Sequence, residues 1–302
     1  MSMENKTVLV TGGLGFFGSN LVDKLVDRGY HVTVVDDMSS ISASWSYMNE
    51  RANYYDADIL HLNLNGFVLE GKTFDIIFHL AAEARIQPSF ENPNHWFKVN
   101  ALGTMEVLEF ARKCNCKSFV YATTSSKNHG SHLITPYTFA KVVGEDAVKM
   151  YADLYGMNTS MATFYNVYGP REPKKGEFAT VTAKFLRQYW EDKQSVTVVG
   201  DGSQSRDFTH VEDIVDGLIE ISHGIWKGHN FDLGRGNPVS ILDIANMVVE
   251  YEEDNIIFVP ERKGEGPYTM SEWRKTHSML GWRAKHDIKD WIEFKIKEYK
   301  ND

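Results

Sequence analysis

A glycine cluster near the N-terminus constrains this 302-residue chain more than any other feature. Thr11-Gly12-Gly13-Leu14-Gly15-Phe16-Phe17-Gly18 follows the apolar run Thr7-Val8-Leu9-Val10 and precedes an amphipathic stretch. Gly13, Gly15 and Gly18 satisfy G-x-G-x-x-G, while Gly12, Gly15 and Gly18 satisfy G-x-x-G-x-x-G. Either register permits a tight turn and lets the backbone come close to a diphosphate. The helix after the loop then presents unpaired N–H groups and a partial positive charge to the anion. Such a loop requires a strand before it, a helix after it and an acid at the end of the next strand. The acid is present as Asp36, followed by Asp37, after Val32-Thr33-Val34-Val35. A carboxylate there accepts hydrogen bonds from ribose hydroxyls and repels a 2′-phosphate. No Arg occurs between Asp36 and Glu50, so NAD rather than NADP is the expected cofactor.

The rest of the first half keeps the same alternation. Ser19 to Arg28 places Leu21, Val22, Leu25 and Val26 on one helical face, and Gly29 stops it. Strands are predicted at Asp75 to Leu80 and Ser118 to Ala122, with helical periodicity from Trp96 to Lys113 between them. Strands alternating with helices predict an α/β fold, a Rossmann-type doubly wound parallel sheet. The second half is less regular. Gly169-Pro170, Gly200-Asp201-Gly202, Gly234-Arg235-Gly236 and Gly264-Glu265-Gly266-Pro267 punctuate shorter elements.

Composition excludes several classes. The net charge of -9 argues against a general nucleic-acid surface. The two cysteines, Cys114 and Cys116, provide neither a disulfide framework nor a four-ligand zinc site, so no metal is expected. No apolar run is long enough to span a bilayer, and Met1 to Lys6 lacks a signal-peptide core. No membrane partner is therefore expected, and the location is expected to be cytoplasmic.

Candidate chemistry lies in the middle of the chain. Tyr137-Thr138-Phe139-Ala140-Lys141 is Y-x-x-x-K on a predicted helix, where residues four apart share a face. An ammonium near a phenol lowers its pKa toward neutrality, giving a base able to remove a proton from a sugar hydroxyl as a hydride departs. Thr123-Thr124-Ser125-Ser126 lies upstream at a predicted strand end, where ligands bind in such sheets.

Taken in order, these motifs resemble those of the extended short-chain dehydrogenase/reductase family, in its nucleotide-sugar epimerase and dehydratase branch. The glycine loop matches T-G-x-x-G-x-x-G, and His79-Leu80-Ala81-Ala82 matches the H-x-A-A strand that lines the cofactor. Phe164-Tyr165-Asn166-Val167-Tyr168-Gly169-Pro170-Arg171 resembles R-x-x-N-V-Y-G-P-R without its leading Arg. Gly200 to Phe208 matches G-D-G-x-Q-x-R-D-F, Arg262-Lys263-Gly264-Glu265 matches R-x-G-[DE], and Leu280-Gly281-Trp282 matches L-G-W.

The resemblance implies roles. Tyr137 is the base and Lys141 its electrostatic partner, with a second task on the nicotinamide ribose. Thr124, counted from the strand, is the active-site hydroxyl; counting back from Gly130 gives Ser125 instead. Gly12, Gly15, Phe16, Phe17, Gly18, Asp36, Asp37, Ser39, Asp58, Ile59, Leu80, Ala81, Ala82, Asn100 and Tyr165 are expected around the cofactor, together with Tyr137 and Lys141. Asn166, Arg206, Arg262 and Glu265 are expected to hold a nucleotide sugar, with Thr124 and Ser125 at its sugar. A cofactor domain is expected from 1–165 plus about 204–226, and a smaller α/β substrate domain from about 166–203 plus 227–302. A homodimer is expected through the helices around Trp96–Lys113 and Tyr137–Leu154.

The residues just after Thr124 narrow the reaction. Dehydratases of the family carry an Asp-Glu pair there and decarboxylases a nearby Glu, whereas this chain has Ser125-Ser126-Lys127. Epimerisation at C4 needs no further acid or base, so a UDP-sugar 4-epimerase is the expectation. A decarboxylase, a reductase and a non-catalytic sugar-nucleotide binder are the alternatives. The usual V-Y-G after the hydroxyls is replaced by Lys127-Asn128-His129-Gly130, and the segment before Tyr137 is short.

Overall fold

Alternate residues of the first strand, β1 (Thr7–Thr11), face opposite ways: Val8 and Val10 join one core cluster and Leu9 another. A strand that is apolar on both faces needs cover on both, as in an all-parallel sheet. The computed structural model, which describes residues 6–40, 42–128, 135–261 and 266–301, has that sheet. Its first half supplies β2 (His31–Asp36), β3 (Asn53–Asp56), β4 (Ile76–His79), β5 (Ser118–Thr124) and β6 (Thr159–Phe164). The second half adds β7 (Val167–Tyr168), β8 (Val196–Val199), β9 (Ser205–Arg206), β10 (Thr209–His210), β11 (His229–Leu233), β12 (Val239–Ser240) and β13 (Ile256–Val259). Seven strands pair in parallel in the order β11-β6-β5-β4-β1-β2-β3. The order reverses between β1 and β4, which opens a crevice beyond their C-terminal ends.

The helices are α1 (Phe16–Asp27), α2 (Ile86–Glu91), α3 (Pro93–Phe97), α4 (Gly103–Lys113), α5 (Pro136–Tyr155), α6 (Val181–Leu186), α7 (Val211–Ser222), α8 (Ile241–Val248), α9 (Trp273–Leu280) and α10 (Ile288–Asn301). Leu21, Val22 and Leu25 of α1 and Ile214, Leu218 and Ile221 of α7 cover the face of Val8 and Val10. Val107 and Leu108 of α4 and Val148 and Tyr151 of α5 cover the face of Leu9. Each fully buried Leu or Val there contributes about 1.5–3 kcal/mol. None of the described helices is long and apolar enough to cross a membrane.

Two expectations change. The helix predicted from Trp96 to Lys113 is interrupted by a π-helical turn at Lys98–Leu102, between α3 and α4. The predicted division also leaves 227–302 in the second unit, yet β11 pairs with β6 in the large sheet. Phe231 and Leu233 of β11 are buried in its core, and so is Trp282, which follows α9. The separate second core is built from Tyr168, Phe185, Val196, Val198, Ile241, Ile244, Val248, Ile288 and Ile292. Its strands β8 and β13 pair in parallel. The two units therefore interleave along the chain, and β7 pairs with β10 and β9 with β12 in two small two-stranded sheets.

Candidate active site

The glycine loop adopts the second of its two registers. Gly12, Gly15 and Gly18 line a cleft of about 540 Å³ at the crevice. Gly13 lies behind, where an added Cβ would come within 2.5 Å of Val34. Gly12 has φ +72°, and its Cβ would stand 2.7 Å from the Ala81 nitrogen. Gly15 caps α1 without a side-chain hydrogen bond, so the first N–H groups of the helix are left for a ligand.

Asp36 accepts hydrogen bonds from the backbone N–H of Leu14 and of Met38, each at 2.9 Å. A carboxylate has about four acceptor positions, so capacity remains for ribose hydroxyls. Burial raises the pKa of Asp36, and those two N–H groups pull it back. Asp37 ties down Ser39 through its N–H at 3.0 Å and its hydroxyl at 2.6 Å. Asp58 caps the turn at Ile59 by accepting from Leu60 N–H at 2.9 Å. Asp36, Asp37, Ser39, Asp58 and Ile59 line the cleft, as do Phe16, Phe17, Leu80, Ala81 and Ala82. This cradle of unfilled glycine positions, free N–H groups and the Asp36 carboxylate fits a dinucleotide.

Two predicted cofactor residues act at a remove. Asn100 is buried and does not line the cleft; it donates to the Glu83 carbonyl and accepts from the Glu83 N–H, both at 2.9 Å. The π-helical turn around it brings its amide to the segment after β4, a frequent use of such turns. Tyr165 is buried outside the cleft, donating to Asp232 at 2.9 Å. His79 is held neutral by burial, with its pKa near 3, and bridges Thr11 and Thr104 at 2.8 and 3.0 Å.

The catalytic candidates converge at the far end of β5. Thr135 caps α5 by accepting from Thr138 N–H at 3.0 Å, and Pro136 opens the helix. Tyr137 thereby enters the cleft in the first turn, with Lys141 one turn on. Burial pushes the Tyr137 phenol above its usual range; a hydrogen bond with Thr124 and the charge of Arg85 act against that. Of the two hydroxyl candidates, Thr124 is the one that bears on the pKa of the phenol. Ser125 also lines the cleft. The Thr124 hydroxyl meets that of Ser126 at 2.8 Å.

Lys141 is itself buried. Burial pulls its pKa down to about 7, with Glu145 working the other way. Its ammonium lies 4.3 Å from the centre of the Tyr121 ring. Behind it, Lys127 forms a 2.6 Å ion pair with Glu145, which also accepts from Thr123. Arg85, which belongs to none of the sequence motifs, also lines the cleft, and its charge opposes the rise in the Tyr137 pKa. Only its place, six residues after His79 on the segment lining the cleft, hints at a role.

The opposite wall comes from the second unit: Asn166, Phe178, Thr180, Thr197, Gln204 and Arg206. Arg206 is buried, with a 3.0 Å hydrogen bond to the Ser205 carbonyl. Arg262 and Glu265 lie outside the described residues. A crevice that joins a dinucleotide cradle to a Thr-Tyr-Lys constellation defines a dinucleotide-dependent enzyme of the short-chain dehydrogenase type. Residues 8–234 match the NAD dependent epimerase/dehydratase family, and the chain belongs to that family.

Similar proteins bear this out. A UDP-glucose 4-epimerase of Mycolicibacterium smegmatis is 30% identical over 97% of this chain and 98% of its own. The structure of a UDP-glucose 4-epimerase from Thermotoga maritima with UDP-glucose superposes with a TM-score of 0.90, at 28% identity, over 98% of this chain and 99% of that one. UDP-glucuronic acid decarboxylase 2 of Arabidopsis thaliana is 29% identical over 97% of this chain and 68% of its own.

Proposed function

We propose that this protein interconverts the C4 epimers of a nucleotide sugar, a UDP-hexose or UDP-N-acetylhexosamine, through a transient 4-keto sugar, with NAD seated on the Gly12–Gly18 loop. The observation that carries this reading is the meeting of Thr124, Tyr137 and Lys141 between that loop and the Arg206 wall. NAD supplies a hydride acceptor at C4 that can return the hydride to either face. Tyr137 removes the proton from the C4 hydroxyl and later gives it back. Thr124 holds the hydroxyl and the phenol in line, and Lys141 holds the nicotinamide ribose. Asn166, Arg206 and Arg262 hold the substrate diphosphate, Arg by charge-assisted forks. The residues after Thr124 offer hydroxyls and a Lys that is turned onto Glu145, which gives dehydration no acid at that place. Exposed Leu102, Met105, Met150, Leu154 and Tyr155 on α4, α5 and their flanks suit pairing of two copies.

The test is incubation of the pure protein with UDP-glucose, UDP-N-acetylglucosamine or UDP-glucuronate without added cofactor. Conversion to the C4 epimer, with NAD released on denaturation, is expected. Release of carbon dioxide, or accumulation of a 4-keto-6-deoxy sugar, would overturn the reading.

A further inference from the structure

The stretch 173–180, between β7 and α6, has the cleft on one side and solvent on the other. Pro173, Glu177, Phe178, Ala179 and Thr180 line the cleft, while Lys174, Lys175, Gly176 and Glu177 are exposed. Its two ends are closed on each other and fixed to the second unit. Thr180 N–H donates to the Pro173 carbonyl at 3.1 Å, and the Thr180 hydroxyl donates to Glu172 at 2.5 Å. Glu172 is buried and accepts from Trp291 of α10 at 3.2 Å. Lys174 pairs with Glu191, just beyond α6, at 2.8 Å. The turn between these ends is free: Gly176 has φ +69°, and an added Cβ there would meet nothing within 4 Å.

Across the cleft the stretch is held at one point. Nε and Nη2 of Arg85 both donate to the Phe178 carbonyl oxygen, at 3.1 and 2.7 Å. Among the described residues this fork is the one hydrogen bond that 173–180 receives from the first unit. Arg85 stands on the segment after β4 that Asn100 pins through Glu83. Its backbone has φ +81° and ψ 145°, a region occupied essentially by glycine. Such strain persists only where contacts enforce it, and it is of similar size to a charge-assisted hydrogen bond. Joined and released arrangements of the fork therefore lie close in energy.

We propose that 173–180 is a lid over the substrate side of the cleft, and that the fork of Arg85 onto the Phe178 carbonyl is its latch, released for each passage of the sugar nucleotide. The passage rests on the reading that a sugar nucleotide lies on the Arg206 wall; the lid and latch do not.

Arg85→Gly isolates the latch, because glycine keeps this backbone conformation without cost and removes the fork. Hydrogen–deuterium exchange over 173–180 in the full-length protein is expected to quicken by about tenfold or more, the loss of one charge-assisted hydrogen bond, while exchange over β1 and α5 stays as in wild type. Stopped-flow binding with UDP as the probe is expected to show kon and koff rising together with Kd nearly unchanged, the signature of a gate. Arg85→Lys, which can donate but cannot form the fork, should fall between. Unchanged exchange over 173–180 in Arg85→Gly overturns the latch. A rise in koff with kon unchanged overturns the gate and makes Arg85 a ligand contact. Absence of UDP binding by the wild type, with faster lid exchange in Arg85→Gly, would count against the substrate assignment and leave lid and latch standing.

Discussion

The two ends of the cleft are built differently. The cofactor end is main chain: Gly12, Gly15 and Gly18 leave room, and the start of α1 supplies N–H groups. Its polar groups come from consecutive residues at two strand ends. The sugar end is side chain: Thr124, Tyr137, Arg85 and Arg206 arrive from four separate stretches of the chain. A backbone site is specified by local rules of turn and helix. A side-chain site depends on how distant elements dock.

The largest effect that would test this contrast is at the sugar end. Tyr137→Phe keeps the ring and loses the proton carrier, so kcat is expected to fall by about 10²–10⁴. Cofactor content by mass spectrometry is expected to stay near wild type. Loss of cofactor together with activity would show that the two ends are not separable.

At the cofactor end, glycine substitutions should divide by geometry. An added Cβ at Gly18 would lie 2.0 Å from the Gly12 oxygen and 2.7 Å from Gly13 Cα, both main-chain atoms that cannot step aside. Gly18→Ala is expected to cost about 3 kcal/mol in unfolding free energy and to lose the cofactor. At Gly15 the nearest atom is 3.5 Å away, so Gly15→Ala should unfold within about 0.5 kcal/mol of wild type. It should still bind cofactor poorly, because the new methyl group enters the cleft. Denaturant melts and cofactor retention measured on both variants check the pair.

This contrast also explains what was legible in the sequence. The loop, Asp36 and the parallel sheet were readable because apolar periodicity and glycine spacing are local. The glycine register was not, because Gly13 is distinguished only by its packing on Val34 of the neighbouring strand. The π-helical turn at Lys98–Leu102 leaves no mark in helical periodicity, yet it is what delivers Asn100 to Glu83. The strand β11 was missed because His229-Asn230-Phe231-Asp232-Leu233 alternates like a half-exposed strand although it pairs in the large sheet. Arg85 was missed for a related reason: its partner, Phe178, is 93 residues away.

A finer test separates the two hydroxyls that sequence spacing left open. Thr124 bears on the pKa of Tyr137, and both Thr124 and Ser125 line the cleft. Thr124→Ala is expected to lower kcat by about 10²-fold, as loss of a preorganised donor does. Ser125→Ala should stay within about threefold, the loss of one weak neutral hydrogen bond. A larger loss for Ser125→Ala than for Thr124→Ala would move the active hydroxyl to Ser125 and shift the base's partner by one residue.

The smallest effect concerns pH, and again it distinguishes the ends. Backbone N–H groups do not titrate, but the support behind the sugar end does. Burial raises Glu172 from 4.5 to about 7, against the hydrogen bonds from Thr180 and Trp291. The folded protein therefore keeps a proton that the unfolded chain releases between those values. Below pH 4.5 this contribution to stability is fully present, and it is lost as pH rises through about 7. Glu172→Gln keeps an acceptor for Trp291 and replaces the titrating oxygen with an amide that can donate to Thr180. The wild type should lose about 1–2 kcal/mol relative to this variant between pH 5 and 7, read from denaturant melts at each pH. Parallel pH curves for the two proteins would mean that Glu172 is ionised in the fold. Arg85 would then have a full negative charge near it, and the electrostatics of the sugar end would include that charge.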